Sequence, residues 1–135
     1  MARPLALLTA VALALVVAGC GDDDLESVLH KDAVRACLAE HGLGRYSGTG
    51  ATGYAPLYLR EPPDFTAYAE DGASVDVIVQ GSTEKAQLTG ADIRAALQGL
   101  PGGGDAEVIV GRNVVAVFAS APSDDARQAV EDCLD

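Results

Sequence analysis

Apolar residues recur at two periods along this chain, and the change of period marks out its elements. Over residues 25–41, Leu25, Val28, Leu29, Val34, Cys37, Leu38 and His41 fall mostly three and four apart, which predicts one apolar helical stripe. Gly42 then stands where a left-handed C-terminal cap belongs. From 74 to 80 the period becomes two: Val75, Val77 and Val79 share one strand face, with Asp76, Ile78 and Gln80 on the other. Residues 82–100 return to helical spacing, clearest in Ile93, Leu97 and Leu100. Thr89-Gly90-Ala91-Asp92 reads as a break with a new N-cap inside that helix, and Pro101-Gly102-Gly103-Gly104 as a flexible turn. The strongest strand signal runs over 107–118, where Val108-Ile109-Val110 and Val114–Phe118 flank Gly111-Arg112-Asn113. Gly and Asn tolerate positive φ, so those three residues read as a hairpin turn. Ser123 caps a last helix whose stripe is Ala126, Ala129, Val130, Cys133 and Leu134; Asp124 and Asp125 in its first turn favour the positive end of its dipole.

This order predicts an α+β domain. A small antiparallel sheet of three or four strands carries N-terminal, central and C-terminal helices, packed mainly on one face. No internal repeat interrupts it.

Residues 45–68 fit neither period. Gly44, Gly48, Gly50 and Gly53 break the stretch, and Pro56, Pro62 and Pro63 stiffen it. It reads as a long loop with a short strand around 57–60, and loops of this length in compact domains are often functional. All four tyrosines of the chain fall here. Tyr46, Tyr54, Tyr58 and Tyr68, with Phe65, are candidates for a contact surface, since tyrosine joins apolar area to a polar tip. The competing reading is that these rings cover one side of the sheet. Gly48-Thr49-Gly50-Ala51-Thr52-Gly53 matches the spacing of a dinucleotide-binding loop, but no buried strand precedes it and Tyr54-Ala55-Pro56 is a poor helix start.

The N-terminus changes the picture most. Met1 to Pro4 carries Arg3, and residues 5–18 hold no charge, Thr9 alone being polar. The run suits a secretory signal of roughly 7–15 apolar residues and is short of the about 20 needed to span a bilayer. It ends in Val17-Ala18-Gly19-Cys20, followed by Gly21-Asp22-Asp23-Asp24. Small residues before a cysteine at that place resemble the lipobox of bacterial lipoprotein precursors, with Val17 where the family usually has leucine. The resemblance implies cleavage between Gly19 and Cys20. It also implies a diacylglyceryl group on the Cys20 sulfur, and so an anchor at the extracytoplasmic face of the cell membrane. Residues 1–19 would then be the removed signal, 20–24 the lipidated cysteine with an acidic tether, and 25–135 one domain. A calcium loop is not read into the three aspartates, since no central glycine and final glutamate follow. The body resembles small lipoproteins of high-GC bacteria: arginine outnumbers lysine seven to two and alanine occurs twenty-four times. That resemblance brings no activity with it.

Export and lipidation also account for the cysteines. With Cys20 carrying lipid, Cys37 and Cys133 remain, both on apolar helical stripes, and an oxidising compartment favours a disulfide between them. Two buried free thiols are the alternative.

Little else in the chain points to chemistry. The net charge is −11, which disfavours nucleic acid and anionic lipid head groups as partners. His30 and His41 stand eleven residues apart, about 16 Å along one helix, too far to share a metal, and no zinc motif is present. No nucleophile motif appears, and no cofactor is implied. Two readings stay open. One is a non-enzymatic binding module presenting the 45–68 segment to an envelope protein or ligand. The other is a small envelope hydrolase using carboxylates such as Asp64 and Glu70.

Overall fold

The computed structural model describes residues 28–47, 59–60 and 62–135. Three helices and one antiparallel sheet make an α+β fold. In chain order the elements are α1 (Lys31–Glu40), β1 (Arg45–Ser47), β2 (Phe65–Tyr68), β3 (Ser74–Val79), α2 (Thr83–Gln98), a 3-10 turn (Gly103–Asp105), β4 (Glu107–Gly111), β5 (Val114–Phe118) and α3 (Asp124–Leu134). The strands lie in the order β1-β2-β3-β5-β4. Strands β2 to β5 are the four-stranded body, and the three-residue β1 extends it at one edge.

The sheet is covered on both faces. Phe65, Ala67, Val75, Val77, Val114, Ala116 and Phe118 pack with Val34 and Leu38 of α1 and with Ala129, Val130 and Leu134 of α3. Against the other face α2 lays Ala86, Ile93 and Leu97 over Val115 and Val117. Two of the three helices therefore share a face, as expected, and α2 takes the opposite one. Strand β5 lies inside both layers and all five of its residues are buried. That burial is why it reads as an unbroken apolar run rather than an alternation. Each fully buried valine or phenylalanine there is worth about 1.5–3 kcal/mol of transfer free energy, so β5 is the centre of the fold.

The caps at Ser123 and Gly42 are those the sequence predicts, and Ser82 adds another. Ser82 and Ser123 each accept a hydrogen bond from the backbone N–H three residues on, at 3.2 Å, closing the first turns of α2 and α3. At the end of α1, Gly42 takes φ 91° and its N–H donates to the Ala39 carbonyl. The Leu43 N–H donates to the Leu38 carbonyl at 2.8 Å, and both leucines are buried. This is a Schellman ending with its hydrophobic contact. Arg127 of α3 grips Glu107 of β4 with two hydrogen bonds of 2.7 and 2.9 Å and also donates to Asp124. The hydrogen bond to Glu107 and that carboxylate's charge raise the guanidinium above its ordinary pKa, so it stays charged.

Several expectations need correction. The first helix begins at Lys31, not at 25; Val28, Leu29 and His30 precede it without helical structure. No break occurs at Thr89-Gly90-Ala91-Asp92, for α2 runs through from Thr83 to Gln98. Gly90 is there for proximity: a Cβ on it would run into Val110 of β4. The turn at 101–104 is as expected and leads into the 3-10 turn Gly103–Asp105, where a Cβ on Gly103 would run into the Leu97 carbonyl. In the β4–β5 turn, Arg112 takes the positive φ of 53°, not Gly111 or Asn113. Gly111 instead admits the end of α3, since a Cβ on it would meet the Leu134 side chain and carbonyl. Finally, 45–68 holds strands at both its ends. They pair with one another, with Tyr46 opposite Ala67, and Leu59 and Arg60 lie in no strand.

Candidate functional site

The Cys37–Cys133 bond joins α1 to α3, with the Cα atoms 5.7 Å apart across 96 residues of sequence. Residue 37 lies on the inner side of α1 and is half-buried, and Cys133 is buried on the inner side of α3. The bridge therefore ties the two helices of one face to each other.

His41 completes this corner. It is the C-cap of α1, four residues after Cys37 and so on the same helix face. Its Nδ1 lies 3.8 Å from the Cys37 sulfur and 3.7 Å from the Cys133 sulfur. The same nitrogen is 2.8 Å from the Cys37 carbonyl oxygen, to which Nδ1–H donates. On the far side of the ring, Nε2 is 4.0 Å from Asp132 Oδ2. The other Asp132 oxygen accepts from the Gln128 side chain at 2.8 Å. The histidine caps α1. Its spacing from Cys37 was visible in the sequence; its contact with Cys133 depends on how α3 docks. His30 is the exposed N-cap of the same helix and makes no side-chain capping bond.

A second locus lies at the opposite end of α1. Asn113, in the β4–β5 turn, is a fully buried polar side chain. Its Oδ1 accepts from the Leu29 N–H at 2.6 Å, and its Nδ2 donates to the Leu29 and Gln80 carbonyls, each at 2.9 Å. The Gln80 N–H donates to Asn113's own carbonyl at 2.7 Å. One side chain thus ties together Leu29 just before α1, the end of β3 and the hairpin turn. This contact also stops α1 from starting earlier, because it holds Leu29 by both of its backbone groups.

The end of the sheet marked by Asn113 is also where the glycine- and tyrosine-rich stretch leaves and returns. Strand β1 ends at Ser47, opposite Thr66. Strand β2 starts at Phe65, opposite Val77, near the end of β3. Asp64, just before β2, accepts from the Val79 N–H at 2.6 Å and pins the return.

The candidate contact residues divide. Phe65 does not belong to a contact surface: it is wholly buried in the core, with the Arg35 guanidinium 5.0 Å above its ring. It faces inward because its register opposite Val77 sets it on the α1/α3 face of the sheet. Tyr68 closes β2 half-buried, and Tyr46 stands in β1. Tyr54, Tyr58, Cys20 and the Gly48–Gly53 glycines lie outside the described residues. Asp64 and Glu70 flank opposite ends of β2. At about 3.3 Å per residue they are roughly 15–20 Å apart, which does not suit an acid–base pair acting on one bond. Among the described residues the buried carboxylate is Asp76, which accepts from the Thr66 hydroxyl at 2.6 Å across the β2–β3 pair. Sequence reasoning placed Asp76 on the less apolar face of its strand. In the sheet it stands between Thr66 of β2 and Val117 of β5.

No helix among the described residues is long and apolar enough to cross a membrane. Compared with protein-family models, with curated proteins and with solved structures, the chain matches none of them.

Proposed function

We propose that this protein is a lipid-anchored binding module of the extracytoplasmic face of the cell membrane, held by a diacylglyceryl group on Cys20. The observation that carries this reading is the Cys37–Cys133 bond. It uses two of the three cysteines and leaves Cys20, the one at the lipobox, outside the bridge. Structural disulfides belong to oxidising compartments, so bridge and anchor both favour export. After removal of residues 1–19 the chain keeps eight basic and twenty acidic side chains. Such a surface is repelled by anionic head groups, so the attachment rests on acyl chains. Two of them hold a protein stably where one does not.

The binding role is assigned to the 45–68 segment without Phe65. Leu29 shares one end of the sheet with Ser47 and Asp64, which bracket most of that segment. Residues 20–28 reach at most about 3.3–3.6 Å each, so this end stays within roughly 30 Å of the lipid. The described ends of the segment, Ser47 and Asp64, thus lie at that same end of the sheet, and a neighbouring envelope protein is the partner its tyrosines suit.

A double variant, Tyr54→Ala with Tyr58→Ala, tests this role. Crosslinked in intact envelope, it should lose the partner bands that the wild type forms. Its melting temperature should stay within about 3 °C, the scale of surface substitutions. A variant that keeps the wild-type bands, or one that loses them only because it unfolds, refutes the assignment.

A further inference from the structure

Four groups meet where α1 and α3 end: the two sulfurs, His41 and Asp132. Cys37, His41 and Cys133 offer ligand atoms that all lie within 4.8 Å of one another. We propose that reduction of the Cys37–Cys133 bond converts this corner into a Cys2His site for zinc. The reductant is a dithiol. It supplies two electrons and two protons, is itself oxidised to a disulfide, and leaves thiols at Cys37 and Cys133. Zn²⁺ then displaces both thiol protons to solvent, the imidazole exchanges its Nδ1 proton for one on Nε2 through solvent, and the ion binds the two thiolates and the freed Nδ1. Water takes the fourth position.

The geometry is already close to what zinc requires. With Zn–S of about 2.3 Å and Zn–N of about 2.0–2.1 Å, a tetrahedral site sets sulfur and nitrogen about 3.5 Å apart. The His41 Nδ1 stands 3.8 and 3.7 Å from the two sulfurs, so the distances are close to those required, and the ring must turn to aim Nδ1 away from the Cys37 carbonyl and between the sulfurs. Once unbonded, the sulfurs separate toward the about 3.8 Å of two tetrahedral thiolates. Nδ1 must give up its hydrogen bond to the Cys37 carbonyl. That oxygen keeps a partner, because the backbone N–H of His41 also donates to it, at 3.2 Å. Metal-binding histidines usually donate their other ring N–H to a carboxylate, which fixes the tautomer. Asp132 Oδ2, 4.0 Å from Nε2, is placed for this, and its other oxygen is held by Gln128. His41 is exposed, which leaves a path for the ion. The ion would also replace the covalent tie between α1 and α3, so the face they cover stays closed in both redox states.

The test uses the full chain carrying Cys20→Ser, so that Cys37 and Cys133 are its only thiols. It is reduced with a phosphine, which leaves no competing thiol. Co²⁺ serves as a spectroscopic stand-in, and Zn²⁺ affinity is read by competition with a coloured chelator. The reduced protein should take up one equivalent with thiolate-to-cobalt charge-transfer bands and the intense visible bands of a tetrahedral site. The oxidised protein should take up none. His41→Ala should weaken zinc binding at least about tenfold, and Asp132→Asn about tenfold, the usual scale for a supporting carboxylate. Circular dichroism follows the fold throughout, and refolding of a reduced chain on adding zinc counts as support. The proposal is overturned by a reduced chain, folded or not, that shows no charge-transfer bands. It is equally overturned if His41→Ala binds zinc as tightly as its parent, which would mark a simple dithiol chelate.

Discussion

Cys133→Ala lowers the melting temperature by at least about 8 °C and leaves Cys37 open to alkylation in the folded protein. The reason lies mainly in the unfolded chain. The bridge spans 96 residues of sequence, and the chain-entropy model gives about 4.7 kcal/mol for a loop of about 100 residues. Native bridges in small exported domains are worth about 2–5 kcal/mol in practice, and a domain of this size loses about 4–8 °C per kcal/mol. Against a total stability of about 5–15 kcal/mol the share is large. Replacing both cysteines by alanine should cost about as much as replacing one, because what is lost is the crosslink. Thermal unfolding of the three proteins side by side checks this. A melting temperature within a few degrees of the wild type would show that α1 and α3 are held by packing alone.

Asn113→Leu is the second substitution with a large expected effect, a loss of about 2–4 kcal/mol. Leucine matches the volume but strands the Leu29 N–H and the Leu29 and Gln80 carbonyls that the amide now satisfies. Buried polar groups left without partners cost about 1–3 kcal/mol each, less where water can reach them. Asn113→Asp separates the roles of the two amide atoms. It keeps an acceptor for Leu29 but turns a carboxylate oxygen toward two carbonyls. Burial and that repulsion raise the new carboxyl's pKa in the folded state. The variant's deficit should therefore shrink in acid, where the carboxyl is protonated in both states, and grow as pH rises through its folded pKa. Urea unfolding across pH measures both variants. A deficit in Asn113→Asp that does not depend on pH would contradict the hydrogen-bond assignment.

What was legible in the sequence is what depends on one-sided burial. Strand β3, helices α2 and α3 and the β4–β5 hairpin all show in the spacing of Val, Ile and Leu, because each presents a face or a run to the core. Ser123 and Gly42 announce their caps, since those conformations are local. The remaining features are set by contacts distant in sequence. Leu29 looks helical by spacing, yet Asn113, 84 residues away, holds it outside the helix. Gly90 and Gly111 look like punctuation, but each clears room for a neighbouring element, and nothing local reveals that. The β1–β2 pair is too short, at three and four residues, to show a period of two. Phe65 looked like one aromatic among five until its register with Val77 turned it inward.

The same limit governs the site. Cys37 and Cys133 could be matched because export, an even remainder and two apolar stripes converge on one pairing. His41 could be set beside Cys37 by its spacing of four. Its position beside Cys133, with Asp132 on its other side, required the docking of α3.

The central claim is a disulfide-stapled domain tied to the membrane through Cys20, and intact mass spectrometry of the protein extracted from its own membrane tests it most directly. The account predicts a chain beginning at Cys20, heavier by a diacylglyceryl group and lighter by the two hydrogens of the Cys37–Cys133 bond. The same mass should persist after unfolding in alkylating reagent without reductant. An unacylated chain, one beginning at another residue, or one that takes up two alkyl groups without reduction would contradict it.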